Sequence, residues 1–251
     1  MRVFRDSTIM FVRCMRISFR NPALLGNSII APAFLMWVFG SVFGGIMDVG
    51  DLNYINFIVP GVIMQSVAQS MQAAAVTVND DTKKGIIDRF RSMPIAKSSV
   101  LIGHVLASVV RSVITTAIII GVAVIIGFRP QASFTGWLII AGILVLFMFA
   151  ITWIAVIGGL LSSTADGAAT SIFPMFFLPF LSSGFAPTES MSGWLRVFSE
   201  NQPMTPIIDA MRAIILDTPP GNSITMAIAW CVGITIVSFV IAVQIYKRKA
   251  A

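Results

Sequence analysis

Charged residues are scarce in this sequence of 251 residues, and that scarcity excludes most soluble architectures. Only 11% of the residues are Asp, Glu, Lys or Arg, whereas 57% are hydrophobic. Soluble domains are roughly one quarter charged, so this chain lacks the polar side chains that would cover a surface in water. Long apolar runs replace them, and an apolar run of about 18 residues or more is typical of a helix that crosses a bilayer. The sequence therefore predicts an all-α protein whose main solvent is lipid.

Residues that carry out catalysis or bind metals are equally rare. The sequence has two cysteines, Cys14 and Cys231, and one histidine, His104. The cysteines fall in segments at different depths, which predicts neither a disulfide nor a metal framework. The sequence contains no Cys/His spacing of the zinc-binding kind, and no glycine is followed by lysine, so it lacks the phosphate-binding loop of P-loop ATPases. We expect no catalytic residue, metal or cofactor in this chain.

Six apolar segments predict six membrane-spanning helices, which would place both termini on the same side. The first segment would cover roughly 31 Å at about 1.5 Å per residue, close to the thickness of a hydrocarbon core. Two prolines, Pro174 and Pro179, are expected to kink or interrupt the fifth span. The six segments are 27–47, 54–78, 100–128, 137–161, 169–186 and 224–246.

Positive charges indicate the orientation, because Lys and Arg accumulate on cytoplasmic segments close to the membrane. Thirteen basic residues lie in the leader before span one, the loop 79–99 and the tail after span six. The segments on the opposite side carry three, Arg129, Arg196 and Arg212. Both termini are therefore predicted to be cytoplasmic, and the net charge of +6 reflects topology rather than nucleic-acid binding.

Residues 1–26 form a leader with the pattern of an amphipathic helix. On a helical wheel, five arginines fall within one arc of about 80°, and Ile9 interrupts this arc. The arginines are Arg2, Arg5, Arg13, Arg16 and Arg20. Another face carries Phe4, Phe11, Met15 and Phe19. We predict an interfacial helix on the inner leaflet; the alternative is a basic leader that only sets topology. The candidate interfacial residues are Arg5, Phe11, Arg13, Arg16 and Arg20.

Span two is interrupted by three glutamines on one side. Gln65, Gln69 and Gln72 fall within about 60° on the wheel, and unpaired polar groups in hydrocarbon cost several kcal/mol. These side chains either line a translocation path or hydrogen-bond to neighbouring helices or to a second copy of the chain. Arg111 in span three needs a partner or must extend towards the inner surface, and we favour the second outcome.

The two main segments outside the bilayer also have helical patterns. In the loop 79–99, Ile86, Ile87 and Phe90 share a helix face that Pro94 would end, and this face suits a partner's groove or lipid headgroups equally well. The segment 187–223 predicts two short helices on the outer side, with an i, i+3 pair between Asp209 and Arg212. A structural cap is favoured over contact with cargo there.

Two stretches resemble the permease subunit of type-two ATP-binding-cassette exporters, especially the daunorubicin-resistance group. The first is KGIIDRFRSMPI at 84–95. The second is PFLSSGFAP at 179–187, followed by Trp194, NQPMT at 201–205 and Arg212. The sequence departs from the family pattern at His104, Ser192 and Gln202, where that family commonly has lysine, proline and an uninterrupted Asn-Pro pair.

The resemblance implies a single permease domain over 1–251. It would pair with a second copy or a paralogue and with two copies of a separate ATPase subunit that binds ATP and Mg²⁺. By the same resemblance, the leader helix and the loop 79–99 would receive the motion of the ATPase. The candidate coupling residues are Lys83, Lys84, Gly85, Ile86, Ile87, Asp88, Arg89, Phe90, Arg91 and Pro94.

We therefore expect a transport subunit of the cell membrane without an ATPase site of its own. It would export an amphipathic or lipophilic cargo, such as a drug, an antibiotic or a lipid. Export of a cell-envelope glycan by the same architecture is an alternative. A transporter driven by an ion gradient is a second alternative. It would need an acidic residue inside the membrane, whereas all eleven acidic residues lie outside the spans or at their ends. A membrane scaffold that moves nothing is a third possibility.

Overall fold

The computed structural model describes residues 2–20, 22–43, 53–83 and 97–249, and all regular elements in these ranges are helices. This confirms the all-α class. The elements are α1 (Arg2–Arg20), α2 (Pro22–Phe43), α3 (Tyr54–Lys83), α4 (Lys97–Ile126), α5 (Phe134–Leu161), α6 (Ala165–Phe177), a single 3-10 turn (Thr188–Ser190), α7 (Gly193–Asn201), α8 (Met204–Ile215) and α9 (Ser223–Lys249).

Three described helices are long and apolar enough to cross a membrane. They are Leu101–Ile126 within α4, Phe134–Leu161, which is α5, and Ser223–Tyr246 within α9, and a shorter apolar helix covers Ser28–Phe43 within α2. Their outward faces carry exposed apolar side chains, and on α9 Ile236 and Val237 are more than half exposed. Such faces are stable when lipid is the solvent, so the chain is a multi-pass membrane protein.

The helix α3 lies at the centre of the bundle. It packs against α2, α4, α5, α6 and α8, and 21 of its 30 residues are buried. Because protein surrounds α3 on most sides, it can carry polar residues that a lipid-facing helix could not. It is also longer than predicted: residues 79–83, assigned to the loop 79–99 from the sequence, continue α3 to Lys83.

Span five differs from the continuous segment 169–186 that the sequence predicts. The helix α6 ends at Phe177, and residues 178–185 form consecutive turns followed by a bend at residue 186. Pro179 lacks the N–H that would continue the helix, so the expected interruption occurs there, whereas Pro174 lies inside α6. Ser182, Ser183 and Phe185 are buried. We call residues 178–186 the buried turn.

The leader residues 2–20 form α1, which packs against α4 and, less extensively, α2. Its buried residues, Ser7, Met10 and Cys14, lie within an arc of about 60°. This arc coincides with neither the arginine face nor the phenylalanine face. The contact is close, since a Cβ placed on Gly103 of α4 would lie 2.5 Å from the Met10 Cβ. The helix α1 therefore has three distinct faces, of which the sequence analysis recognised two.

The two short helices predicted between spans five and six are present as α7 and α8. The apolar residues Ile207, Ile208 and Met211 of α8 are buried, and α8 packs against α3, α5 and α9. By contrast, Trp194 of α7 is 77% exposed. Only α8 is therefore integrated into the bundle.

We predict that Gly159→Ala destabilises the bundle and that Gly142→Ala in the same helix does not. A Cβ at position 159 would lie 2.5 Å from the Ala75 carbonyl oxygen of α3, whereas nothing lies within 4 Å of a Cβ at position 142. Overpacking of this kind costs about 1–3 kcal/mol. The thermal unfolding midpoint in detergent should fall only for Gly159→Ala, and equal midpoints would contradict the close approach of α3 and α5.

Candidate functional site

Most of the predicted coupling residues lie beyond the described part of the chain. Lys83 is exposed at the end of α3, and the description resumes at Lys97, the first residue of α4. The remaining candidates, which lie outside the described residues, are Lys84, Gly85, Ile86, Ile87, Asp88, Arg89, Phe90, Arg91 and Pro94. The structure therefore describes this site at the two helix ends that flank residues 84–96.

An ionic cluster joins α1 to both of these helix ends. Arg13 of α1 donates two hydrogen bonds to the Asp81 carboxylate of α3, from Nη1 to Oδ2 at 2.6 Å and from Nη2 to Oδ1 at 2.9 Å. His104 of α4 places Nε2 3.2 Å from the same Oδ2. Its Nδ1 lies 3.6 Å from the sulfur of Cys14 in α1. We call Arg13, Cys14, Asp81 and His104 the junction.

The junction keeps Asp81 ionised although the residue is only 4% exposed. Burial favours the neutral acid, but the two hydrogen bonds from Arg13 and the nearby imidazole of His104 outweigh this effect and hold the pKa of Asp81 well below its usual range. The bond to Asp81 in turn raises the pKa of Arg13, whose side chain remains 28% exposed. Charge-assisted hydrogen bonds thus connect α1 with α3, and the His104 imidazole brings α4 to the same carboxylate.

Sequence patterns alone do not reveal the junction, because its members are far apart along the chain. Arg13 and Asp81 are separated by 68 positions, and Cys14 and His104 by 90. One usable signal was present: Asp81 and His104 lie on either side of residues 84–96, close to the connection between spans two and three. Residues placed in this way become neighbours when the two helices pack as an antiparallel hairpin.

The other candidate residues of the leader divide between surface and interior. Arg16 is exposed and Phe11 is half-buried. Arg5 and Arg20 belong to α1, and their side chains lie outside the described part. Within the leader, Arg13 therefore contacts α3, whereas Arg16 lies at the surface.

The glutamines of α3 occupy a face that contacts α6 and the buried turn. Gln65 is 2% exposed, and its Oε1 has no hydrogen-bond partner among the described residues. Gln72 donates from Nε2 to the Ala169 carbonyl of α6 at 3.5 Å, and Gln69 is half-buried. Gln65 is thus enclosed by the chain's own helices, whereas Gln69 and Gln72 are half-buried.

Arg111 does not extend towards the inner surface, and the expectation we favoured was wrong. The residue is 4% exposed and donates from Nη2 to the Ser70 carbonyl of α3 at 3.3 Å and to Ser108 Oγ at 3.4 Å. One carbonyl of the neighbouring helix and one hydroxyl of its own helix accept from the guanidinium, so Arg111 links α4 to α3 inside the bundle.

A second polar cluster lies at the opposite end of α3 from the junction. Arg212 of α8 donates to the Phe57 carbonyl from Nε and Nη2 at 3.4 and 3.3 Å, to Asp209 Oδ1 at 3.0 Å, and to the Ser183 carbonyl. Its Cζ lies 3.9 Å from the centre of the Phe57 ring. Ser183 Oγ donates to Asp209 Oδ1 at 2.6 Å. The predicted pair of Asp209 and Arg212 is confirmed, and we call these four residues the Arg212 cluster.

Neither cluster has the composition of a metal site. Within the ranges that the structure describes, no group of three or more His, Cys, Asp or Glu side chains could hold a metal ion. Cys14 and Cys231 are both buried free thiols. What the two clusters can do chemically is to connect helices through ionic and hydrogen bonds.

Lipid-facing helices around a polar central helix define an integral membrane protein of the multi-pass helical class. Residues 6–216 match the ABC-2 type transporter family. Because the match covers most of the chain, the protein belongs to this family, and its resemblance to type-two ATP-binding-cassette permeases is confirmed.

Curated relatives agree with this assignment. The chain is 27% identical over 231 residues to the daunorubicin resistance ABC transporter permease protein DrrB1 of Streptomyces coeruleorubidus, covering 92% of this chain and 82% of the relative. It is 24% identical over 225 residues to the probable doxorubicin resistance ABC transporter permease protein DrrC of Mycobacterium tuberculosis, covering 89% and 82%. Doxorubicin resistance ABC transporter permease protein DrrB of the same species is 27% identical over 223 residues, covering 80% and 74%.

We predict that Arg13→Gln destabilises the attachment of α1 to the bundle and that Arg16→Gln, on the same helix, has little effect. Removing Arg13 leaves the buried Asp81 carboxylate without its main partner, which should cost about 1–3 kcal/mol once the partial exposure of Arg13 is considered. Thermal unfolding in detergent measures this, and Asp81→Asn completes a double-mutant cycle. A coupling energy near zero would show that the ion pair does not join the two helices.

Proposed function

We propose that this chain is the transmembrane subunit of an ATP-driven exporter that moves an amphipathic or lipophilic cargo, such as a drug, an antibiotic or a lipid, out of the cytoplasm or inner leaflet. Family membership implies an ABC ATPase partner. The names of the relatives connect related permeases with resistance to daunorubicin and doxorubicin. ATP and Mg²⁺ would bind to the partner, and this chain would supply the pathway and the surface on which the partner docks.

The proposed topology has six spans in the cell membrane and both termini in the cytoplasm. The fifth span would consist of α6 and the buried turn. The junction end of α3 would then face the cytoplasm and the Arg212 cluster the outside, as the distribution of Lys and Arg favours. The three faces of α1 suit the inner leaflet, with the arginines other than Arg13 towards water, the phenylalanines towards lipid and the third face on α4.

The junction is the observation that carries the proposal. A partner that pushes on residues 84–96 would act on the end of α3 and the start of α4, and Asp81 and His104 hold these two ends together. Arg13 connects α1 to the same carboxylate. A displacement of the loop would therefore move three helices as one unit, and α3 would pass it to the five helices packed around it.

Two permease chains, or one chain and a paralogue, would enclose the pathway, with two ATPase subunits below them. Gln65, Gln69 and Gln72 are our candidates for its lining. Support comes from the buried Gln65 Oε1, which has no partner among the described residues and would gain one when α3 and α6 separate.

We predict that replacing Gly85, Ile86 and Ile87 with serine abolishes cargo-stimulated ATP hydrolysis and transport by the complex reconstituted with its ATPase in liposomes. The apolar side of the loop would no longer fit the partner's groove. Replacing Trp194 and Val197, which are exposed apolar residues of α7, with serine is the control and should preserve both activities. Transport that continues without any ATPase and collapses with the proton gradient would instead establish an ion-driven transporter.

We also predict that Gln65→Leu and Gln69→Leu slow transport and leave the assembled complex intact. One membrane hydrogen bond is worth about 0.6–2 kcal/mol, so the rate should fall by about 3- to 30-fold. Gln244→Leu, at an exposed position of α9, is the matched control. Size-exclusion chromatography monitors assembly, and variants that fail to assemble would assign the two glutamines to helix packing alone.

A further inference from the structure

The buried turn is held in place by side chains from other segments, because it has no continuous helical ladder of its own. Buried backbone carbonyls need hydrogen-bond partners, and irregular backbone in a membrane protein persists only where protein or an enclosed cavity supplies them. Four carbonyls of the turn accept from side chains outside it. The pairs are Gln202 to Leu178 and Leu181 at 3.3 and 3.4 Å, Tyr54 to Phe185 at 3.2 Å, and Arg212 to Ser183.

The turn also makes a backbone contact with α3 that leaves no room for water or cargo. A Cβ on Gly61 would lie 2.6 Å from the Gly184 carbonyl oxygen, and a Cβ on Gly184 would lie 3.0 Å from the Gly61 Cα. Gln65 follows Gly61 by one helical turn on the same face. The turn therefore covers this face of α3 at Gly61, between Gln65 and the end of the helix that begins with Tyr54.

Arg212 bonds to both sides of this contact. Its guanidinium donates to the Ser183 carbonyl of the turn and to the Phe57 carbonyl of α3, and it lies over the Phe57 ring. Asp209 pairs with Arg212 and accepts from the Ser183 hydroxyl, which adds a second connection between the turn and α8. The Arg212 guanidinium can exchange its carbonyl partners for water. The turn can therefore separate from α3 without breaking the backbone hydrogen bonds of a helix.

We propose that the Arg212 cluster is a latch that holds the buried turn closed over the outer end of the transport pathway. Each export cycle would require the turn to separate from α3 and α8, and the latch would close again after release of the cargo. Arg212 acts here as a positioning residue, through the turn, and does not need to touch the cargo. The inference rests on the proposed export function and adds the place where the pathway opens to the outside.

A reversible cross-link tests the latch in the folded complex. Ser183→Cys combined with Asp209→Cys places two thiols where Oγ and Oδ1 are 2.6 Å apart. The complex with its ATPase is reconstituted in liposomes, oxidised, and then reduced, and mass spectrometry establishes that the cross-link has formed. We expect the oxidised complex to lose at least about nine-tenths of ATP-dependent transport, equivalent to about 1.4 kcal/mol, and reduction to restore it.

Matched variants separate the latch from general effects of oxidation. Arg196→Cys with Glu200→Cys places two thiols on α7, outside the contact between the turn and α8, so the same oxidation should leave transport unchanged. Each single-cysteine variant controls for oxidation of Cys14 and Cys231. A cross-linked latch that transports at the uncross-linked rate would overturn the proposal.

A second measurement examines Arg212 itself. Arg212→Gln should transport less cargo per ATP hydrolysed and allow cargo to leak without ATP, whereas Arg196→Gln should behave as the unmodified chain. Arg212→Lys should recover part of the coupling, because one ammonium group can bond to the turn or to α3 but lacks the planar fork that reaches both. Normal coupling in Arg212→Gln would contradict the latch. If Arg212→Gln does not assemble, the cross-linking experiment decides whether the latch exists. Absence of ATP-dependent transport in both the unmodified and the Arg196→Gln complexes would instead refute the export function itself.

Discussion

The fold depends on the pairing of polar groups inside the bundle, because an unpaired polar group in hydrocarbon costs several kcal/mol. Polar side chains of α3 satisfy this constraint by forming hydrogen bonds with several neighbouring helices. Ser66 donates to the Ser28 carbonyl of α2 at 3.0 Å. Asn79 donates to the carbonyls of Gly159 and Ser162, at the end of α5, at 3.0 and 2.6 Å. With Arg111 bound to α3 from α4 as well, the central helix is connected to the bundle along much of its length.

This arrangement places two ionic clusters at opposite ends of one well-anchored helix. Asp81 lies in the last turn of α3 and Phe57 in the first, and 30 residues at about 1.5 Å each cover roughly 45 Å. In both clusters an arginine bonds to a carboxylate that a second side chain also contacts: His104 contacts Asp81, and Ser183 contacts Asp209. A helix anchored in this way can pass a displacement from one end to the other, which is what a pump with its ATPase on one side and its exit on the other requires.

Two of the departures from the family pattern acquire a structural role. His104 stands where lysine is common, and its imidazole fits between the Asp81 carboxylate and the Cys14 thiol. A lysine is a flexible point charge that could bond to Asp81 but could not present two ring nitrogens to opposite sides. Gln202 interrupts the Asn-Pro pair, and its amide donates to two carbonyls of the buried turn. For Ser192 the structure offers no comparable explanation.

The sequence by itself determined that lipid is the main solvent, that the class is helical and where most helices lie. Hydropathy and periodicity are local properties, so each segment carries its own signal for insertion into a bilayer. It also indicated the family through two short stretches, and the pair of Asp209 and Arg212 through their i, i+3 spacing. Only the tertiary structure decided that Asp81 belongs to α3 and bonds to Arg13, that Arg111 bonds inside the bundle, that α1 has a buried third face, and that other segments hold the turn after α6. Each of these depends on contacts between residues far apart in the chain, whose energy arises only when the helices pack and exclude lipid from the space between them.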